Sequence, residues 1–333
     1  MKTLTISVAA YNVEETLDQT LKSFYDERIL DDLEVLIVDD GSKDNTAKIA
    51  KKYVQKAPQT YKYVYKTNGG HGSTINKGME LATGKYFKVI DGDDWVDTDS
   101  LVEFINSLKK IDSDLVLTNH MECYPQQYKK INLVSGMENG KEYTWKDNIN
   151  IEKVVLHSVT VKTKLLRENH VHITENSFYV DVEFVVWDAY VSHTIVYLDI
   201  YLYMYRLGEP NQSIAKVNML KNIGMQEKIS YELVKMYDQF VKNGDMLPRQ
   251  EETIFHTFKR SIGSTMRTYL LLPTKIARKN IERFDKNIKS LSLVTYQRLN
   301  DDKFINLTRK GNYVLIPLLK VMYKIWVSKK YKY

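Results

Sequence analysis

The stretch Tyr86-Phe87-Lys88-Val89-Ile90-Asp91-Gly92-Asp93-Asp94-Trp95 decides how the first half of this chain is read. A short apolar run, with Lys88 inside it, stops abruptly at three carboxylates within four positions. Carboxylates that close raise one another's pKa, so something positive is expected beside them. Working outward, the same plan recurs. Leu33–Val38 ends in Asp39-Asp40-Gly41-Ser42, Leu4–Ala10 ends in Tyr11-Asn12, and Tyr61–Tyr65 runs into a Gly-rich turn. Between these runs apolar residues fall at helical spacing: Leu17, Leu21 and Phe24; Ala47, Ala50, Tyr53 and Val54; Ile75 to Ala82; Leu101, Phe104, Ile105 and Leu108.

Short apolar strands alternating with helices predict an α/β fold on a mainly parallel, Rossmann-like sheet flanked by helices. Ligands of such sheets bind beyond the carboxyl ends of the strands. Asp39-Asp40 and Asp91–Asp94 are therefore expected in one crevice, although about fifty positions separate them. A D-x-D turn there suits a hard divalent ion, Mn²⁺ or Mg²⁺, which takes one or two carboxylates with phosphate oxygens and water. A solvated loop with helix-capping duties would use the same residue types, so both readings stand.

The rhythm changes after about residue 120. Residues 121–150 read as polar and irregular, Ile195–Tyr205 as a strand, and the chain beyond Ala215 as helical. This predicts three parts: 1–120, 121–215, and a helical C-terminal region, 216–333. The net charge of +6 has an address, because in 301–333 eight basic residues face only Asp301 and Asp302. A nucleic-acid binder would spread basic charge over its folded face, so nucleic acid is not an expected partner. Tyr313–Val327 is apolar but interrupted by Pro317, Lys320 and Lys324, too short and too charged to span a bilayer. It fits either an interfacial helix on an anionic membrane or a helix packed on the chain's own core. Cys123 is the single cysteine, which excludes an intrachain disulfide and fits a reducing, cytoplasmic setting. The interfacial reading would add peripheral contact with the inner face of the cell membrane. MKTLTISVAAYN reads as a first strand and not as a secretion signal.

The ordered series Ala9-Ala10-Tyr11-Asn12, Val35–Ser42, Asp44, Thr46, Asn68, Gly70, Asn76, Gly78, Ala82–Tyr86 and Asp91–Trp95 resembles the nucleotide-sugar half of family 2 glycosyltransferases, which are inverting enzymes of GT-A fold. The likeness covers about residues 1–120 and continues more weakly to about 215. It implies transfer of a hexosyl or N-acetylhexosaminyl group from a UDP-sugar to a glycan or lipid-linked acceptor, in cell-envelope or exopolysaccharide synthesis.

Residue by residue, the resemblance implies that Tyr11 packs on the base and Asp40 accepts from uracil N3–H, with Asp39 shaping the turn. Ala9, Asn12, Asn68 and Gly70 would line the donor. Asp91 would face the ribose, and Asp93, with Asp91 beside it, would hold the metal while Asp94 supports the turn. Asp181 matches the catalytic base, with Glu183 in reserve; an acid at a helix start also serves as a plain dipole partner. Arg206 would brace diphosphate or acceptor, or form an ordinary salt bridge, and Gln212-Ser213-Ile214 would close the site. Three positions depart from the pattern: Ala9 stands for Pro, Thr74-Ile75 for Ala-Arg, and Val180 for Glu. Lys66, His71 or Lys77 would meet what the missing Arg contacts, and His157 and Lys162 would line the acceptor cleft.

Two other classes share some of these features. A metal-dependent nucleotidyltransferase would carry a Gly-rich, basic loop after its first strand, where this chain has Ala9-Ala10-Tyr11-Asn12-Val13-Glu14-Glu15. A non-catalytic nucleotide-sugar or glycan-binding subunit would tolerate Val180 and Ile75.

Overall fold

The computed structural model describes residues 2–151, 153–208 and 216–330, with side chains as far as residue 325. The chain divides into two compact units, residues 1–209 with 247–254, and residues 210–246 with 255–333.

The first unit is built on one ten-stranded sheet. Its strands are β1 (Leu4–Ala10), β2 (Leu33–Asp39), β3 (Tyr61–Tyr65), β4 (Tyr86–Asp91), β5 (Trp95–Val96), β6 (Leu115–Tyr124), β7 (Gln127–Ile131), β9 (Glu142–Thr144), β11 (Val159–Lys162) and β12 (Thr194–Arg206). The short β8 (Val134–Ser135) and β10 (Asn150–Ile151) pair separately. The main order is β3-β2-β1-β4-β11-β6-β12-β5, with β7 on β6 and β9 on β12. β1 to β4 are parallel to one another, and antiparallel β11 then joins β4 to β6. The sheet is thus parallel from β1 to β4 and mixed beyond. Every residue of β2 is buried, as a strand covered on both faces requires.

Helices α1 (Leu17–Ser23), α2 (Thr46–Lys56), α3 (His71–Leu81) and α4 (Thr98–Leu108) follow the first strands; α5 (Thr163–Glu168) and α6 (Asp181–Val191) belong to the second half. Leu17, Leu21 and Phe24 are fully buried with Ile6, Val8, Leu101 and Phe104 in one core cluster. Residues 121–150, read as irregular, instead extend β6 to Tyr124 and turn back as β7. Backbone pairing with β6, not side-chain alternation, makes β7, whose first four residues are exposed.

The second unit is helical: α7 (Lys216–Lys221), α8 (Ile223–Asn243), the larger part of α9 (Pro248–Tyr269), α10 (Thr274–Leu291), α11 (Leu293–Arg298), α12 (Lys303–Arg309) and α13 (Ile316–Lys330). Ile229, Leu233, Tyr237 and Phe240 of α8 are buried at helical spacing. Among the described residues no helix is long and apolar enough to cross a membrane.

Candidate functional site

The strand order places β4 beside β1 and opposite β2, the point at which an open α/β sheet leaves a crevice at its carboxyl ends. The loops leaving β1 and β2 are zipped together there. Asn12 takes a left-handed φ of 51°, which Asn tolerates better than most residues. Its N–H donates to Ser42 Oγ (2.9 Å), and its Oδ1 accepts from Lys43 N–H (2.8 Å). Val13 N–H donates to Thr46 Oγ1 and Glu14 N–H to Asp44 Oδ2. Tyr11 is left 49% exposed.

The acidic pair after β2 is fully buried and heavily satisfied. Asp39 Oδ1 accepts from Ser42 N–H (2.8 Å) and Oδ2 from Tyr63 OH (2.6 Å). Asp40 Oδ1 accepts from Lys66 Nζ (2.7 Å), Gly69 N–H (2.9 Å) and Ser73 Oγ (3.2 Å), and Oδ2 from Gly70 N–H (2.8 Å). Asn68 Nδ2 donates to the Asp40 carbonyl. Asp40 therefore knots the β3–α3 loop to the end of β2.

The acidic turn after β4 is the opposite case. Asp91, Asp93 and Asp94 can each turn an oxygen so that the three lie within 4.8 Å of one another, a grouping able to hold a metal ion. At an effective dielectric of about 20, two full charges that close repel by roughly 3–4 kcal/mol. The proton equilibria register this. Burial, then the Asp91 charge, pushes the Asp93 carboxyl up to about 6. Burial, then Asp93 and Asp91, raises Asp94 well above the usual range. Asp94 is buried and braced, accepting from Tyr203 OH (2.6 Å) and Arg206 N–H (2.7 Å). Arg206 Nε donates to the Asp93 carbonyl and Nη2 to Gln19 Oε1, and its guanidinium lies 4.7 Å over the Trp95 ring.

The counter-charge beside the turn is His71, the first residue of α3. Its Nε2 is 3.0 Å from Asp91 Oδ1, within ion-pair reach but off the hydrogen-bonding direction. Burial works against the imidazolium, yet Asp91, Asp181 and Asp93 together hold its pKa above the ordinary value. Burial likewise works to raise Asp91, and His71 outweighs it. Of the substitutes considered for the missing Arg, Lys66 is engaged with Asp40, His71 stands in the site, and Lys77 does not: it is paired with Glu80 on the surface of α3.

Asp181, first residue of α6, is brought to the same place. Burial raises its carboxyl; His71 opposes that and Asp91 adds to it. The device that docks α6 was not foreseen from the sequence. Asn76 of α3 donates from Nδ2 to the Ile173 carbonyl and accepts Ile173 N–H on Oδ1, both at 2.9 Å. Gly72 lets the two backbones touch, since a Cβ there would stand 2.1 Å from the Thr174 carbonyl oxygen. Glu183 is part of this device. It is buried, and its carboxylate accepts from Thr174 N–H and Oγ1, each at 2.9 Å. Tyr179, at φ 67°, turns the chain just before the helix.

Lys162, expected near the site, lies away from the strand ends. It pairs with Tyr86 at the start of β4, five residues and so roughly 16 Å from Asp91, and is held by Asp114 and Asp112. His157 does lie at the strand-end side, stacked on Tyr205 at 4.0 Å; burial, then His120, takes its pKa down to about 3. Beneath it, β11 covers β4 only at Tyr86 and Phe87. Buried Lys88 turns into this gap and donates to the carbonyls of His157 (3.1 Å) and Val159 (3.0 Å). Gln212-Ser213-Ile214 lie outside the described residues.

A family model for glycosyl transferase family 2 matches residues 5–164, which hold β1 from Thr5, β2, β3, β4 and both acidic turns. The chain carries a glycosyl transferase family 2 domain. It is 44% identical over 31% of its length to an uncharacterized glycosyltransferase of Mycoplasma pneumoniae, and spans 33% of that protein. It is 25% identical to a cholesterol galactosyltransferase of Borreliella burgdorferi, with 71% of this chain and 72% of that one aligned. The structure of Staphylococcus aureus TarS 1–349 in complex with UDP superposes with a TM-score of 0.66, covering 100% of this chain and 93% of the other at 18% identity. That likeness bears out the GT-A fold. In the family 2 domain the match ends at Lys164, so Asp181 and Arg206 lie beyond the matched residues.

Proposed function

We propose that the chain is an inverting glycosyltransferase moving a hexosyl or N-acetylhexosaminyl group from a UDP-sugar to a glycan or lipid-linked acceptor in cell-envelope or exopolysaccharide synthesis. The basic 301–333 stretch is the part that would meet an anionic membrane surface. One observation carries the reading: three crowded carboxylates at the switch point of a parallel sheet, with the Asp181 helix docked against them through the 173–177 loop.

In this reading the donor lies across the ends of β1, β2 and β4. Tyr11 offers a ring face to the base, and the free lone pair of Asp40 Oδ2 takes uracil N3–H. Ala9, Asn12, Asn68 and Gly70 line the donor, and Asp91 faces the ribose. The residues fit a hard cation, since an ion would replace the protons that crowding draws onto the turn; Asp93 and Asp91 would hold it. When bound, Mn²⁺ or Mg²⁺ supplies charge neutralisation for the departing diphosphate. Asp181 takes the proton of the acceptor hydroxyl as that oxygen bonds to the sugar C1 and the C1–O bond to UDP breaks on the opposite face. Its raised pKa makes it a stronger base than an ordinary aspartate. His71 holds Asp91 in its charged form beside it.

The test is a panel of nucleotide sugars with Mn²⁺, reading nucleotide release. A UDP-sugar should be consumed, and Asp181→Asn should cut transfer by about 10²–10⁴ while leaving UDP binding intact. Near-normal transfer by that variant, or UDP binding without release from any donor, would sink the reading.

A further inference from the structure

The sequence left two uses open for the apolar stretch near residue 320, and α13 has a face for each. Ile316 and Leu319 are buried and Tyr323 is half-buried, on the side where the helix packs against α10. Lys320 points the same way and donates to the Leu272 carbonyl. The opposite side is not polar. Leu318, Val321, Met322 and Ile325 are 57%, 54%, 56% and 52% exposed. Their spacing of three, one and three residues puts them within about 100° of the helix surface, a continuous apolar stripe. Surface helices ordinarily present charged residues there; here the exposed Lys324 stands at the margin.

We propose that this outer face of α13 is a docking surface for an anionic lipid bilayer, lying in the plane of the interface. Charge decides the occupant. The whole sequence surplus of +6 falls in residues 301–333. Arg309 and Lys320 are engaged with the fold, while Lys324 is exposed beside the stripe and Lys329, Lys330 and Lys332 follow it in the sequence. Apolar side chains with lysines at their edge match the acyl boundary and anionic headgroups of a membrane surface. A second copy of this chain would bring the same positive charge to the same place. Four half-exposed side chains also fall short of the roughly 800 Å² that each partner of a stable dimer buries. The helix does not cross the bilayer, because it is too short and its inner face belongs to the fold.

The inference rests on the membrane contact proposed for residues 301–333 and not on the transferase chemistry, and it is tested without substrate, so either reading can fail alone. The full chain is floated with phosphatidylcholine vesicles alone and with vesicles containing phosphatidylglycerol. It should float only with the anionic vesicles, and less as salt rises. The combined variant L318Q/V321Q/M322Q/I325Q changes only exposed positions; it should keep its melting temperature and lose at least tenfold in the bound fraction. Lys324→Gln should weaken binding less and flatten its salt dependence. Three results would overturn the proposal: no flotation of the parent chain, undiminished binding by the fourfold variant, or a dimer of the parent chain that the variant breaks.

Discussion

Two acidic clusters, Asp39-Asp40 after β2 and Asp91–Asp94 after β4, look alike in sequence and differ in physics. Each ends a buried parallel strand, and both sit at the same edge of the sheet. The first is surrounded by donors: the Asp40 carboxylate alone takes two backbone N–H groups, an ammonium and a hydroxyl. Its charge is consumed in holding loops together. The second has its donors unevenly placed. Asp94 is braced and Asp91 shares His71, whereas among the described residues Asp93 accepts no side-chain hydrogen bond. A carboxylate rich in donors builds structure, and crowded carboxylates short of them have capacity left for a ligand.

Substitution separates the two most sharply. Asp93→Asn should lower transfer by about 10²–10³, the scale lost when one stabilising group for developing charge is removed. Thermal stability should hold or rise, because a repelling charge goes. A matching drop in melting temperature would mean that the β4 turn is structural too. Asp40→Asn should do the reverse first. Leaving Lys66 and two buried N–H groups short of a charged acceptor should destabilise the fold by about 2–4 kcal/mol in denaturant titration. UDP binding should weaken as well, since Asp40 Oδ2 is proposed to meet the base; lost UDP binding with unchanged stability would leave Asp40 no structural role and erase the contrast.

Lys88 gives a third kind of compensation, a buried ammonium resting on two carbonyls, with its pKa taken down to about 7 by burial against a partial rescue from Asp188. Between that value and its ordinary 10.5 the unfolded chain holds the proton that the folded chain has released. Stability from this group is therefore least below pH 7 and climbs as pH rises through the window, by up to about 1.4 kcal/mol per pH unit. Lys88→Met should remove that slope from the pH dependence of unfolding. An unaltered slope would show that Asp188 keeps the ammonium charged.

Much of residues 1–120 was legible because the signals there are local. Continuous apolar runs name strands covered on both faces, and their alternation with helices puts the acidic turns at one edge. The second half was less legible. β7 exists through backbone pairing with β6, which leaves no pattern in Gln127–Ile131. Glu183, two residues after Asp181, reads as a spare base in sequence, but helical geometry turns it to Thr174. Lys162 reads as a plausible lining residue until antiparallel pairing sends it to the far end of β4. Gly72 carried a signal, an extra glycine in the 68–73 loop, but no sequence rule says which backbone it must approach.

By itself the sequence determined the layered α/β architecture, the edge where ligands would gather and the location of the excess positive charge, since periodicity and composition are properties of short windows. Only the tertiary structure decided which carboxylates are spent on the fold and which remain uncompensated. It alone showed that His71 stands against Asp91 and that α13 is apolar on both sides. Those outcomes depend on donors and contacts supplied by segments distant in the chain, and a linear pattern does not encode such distances.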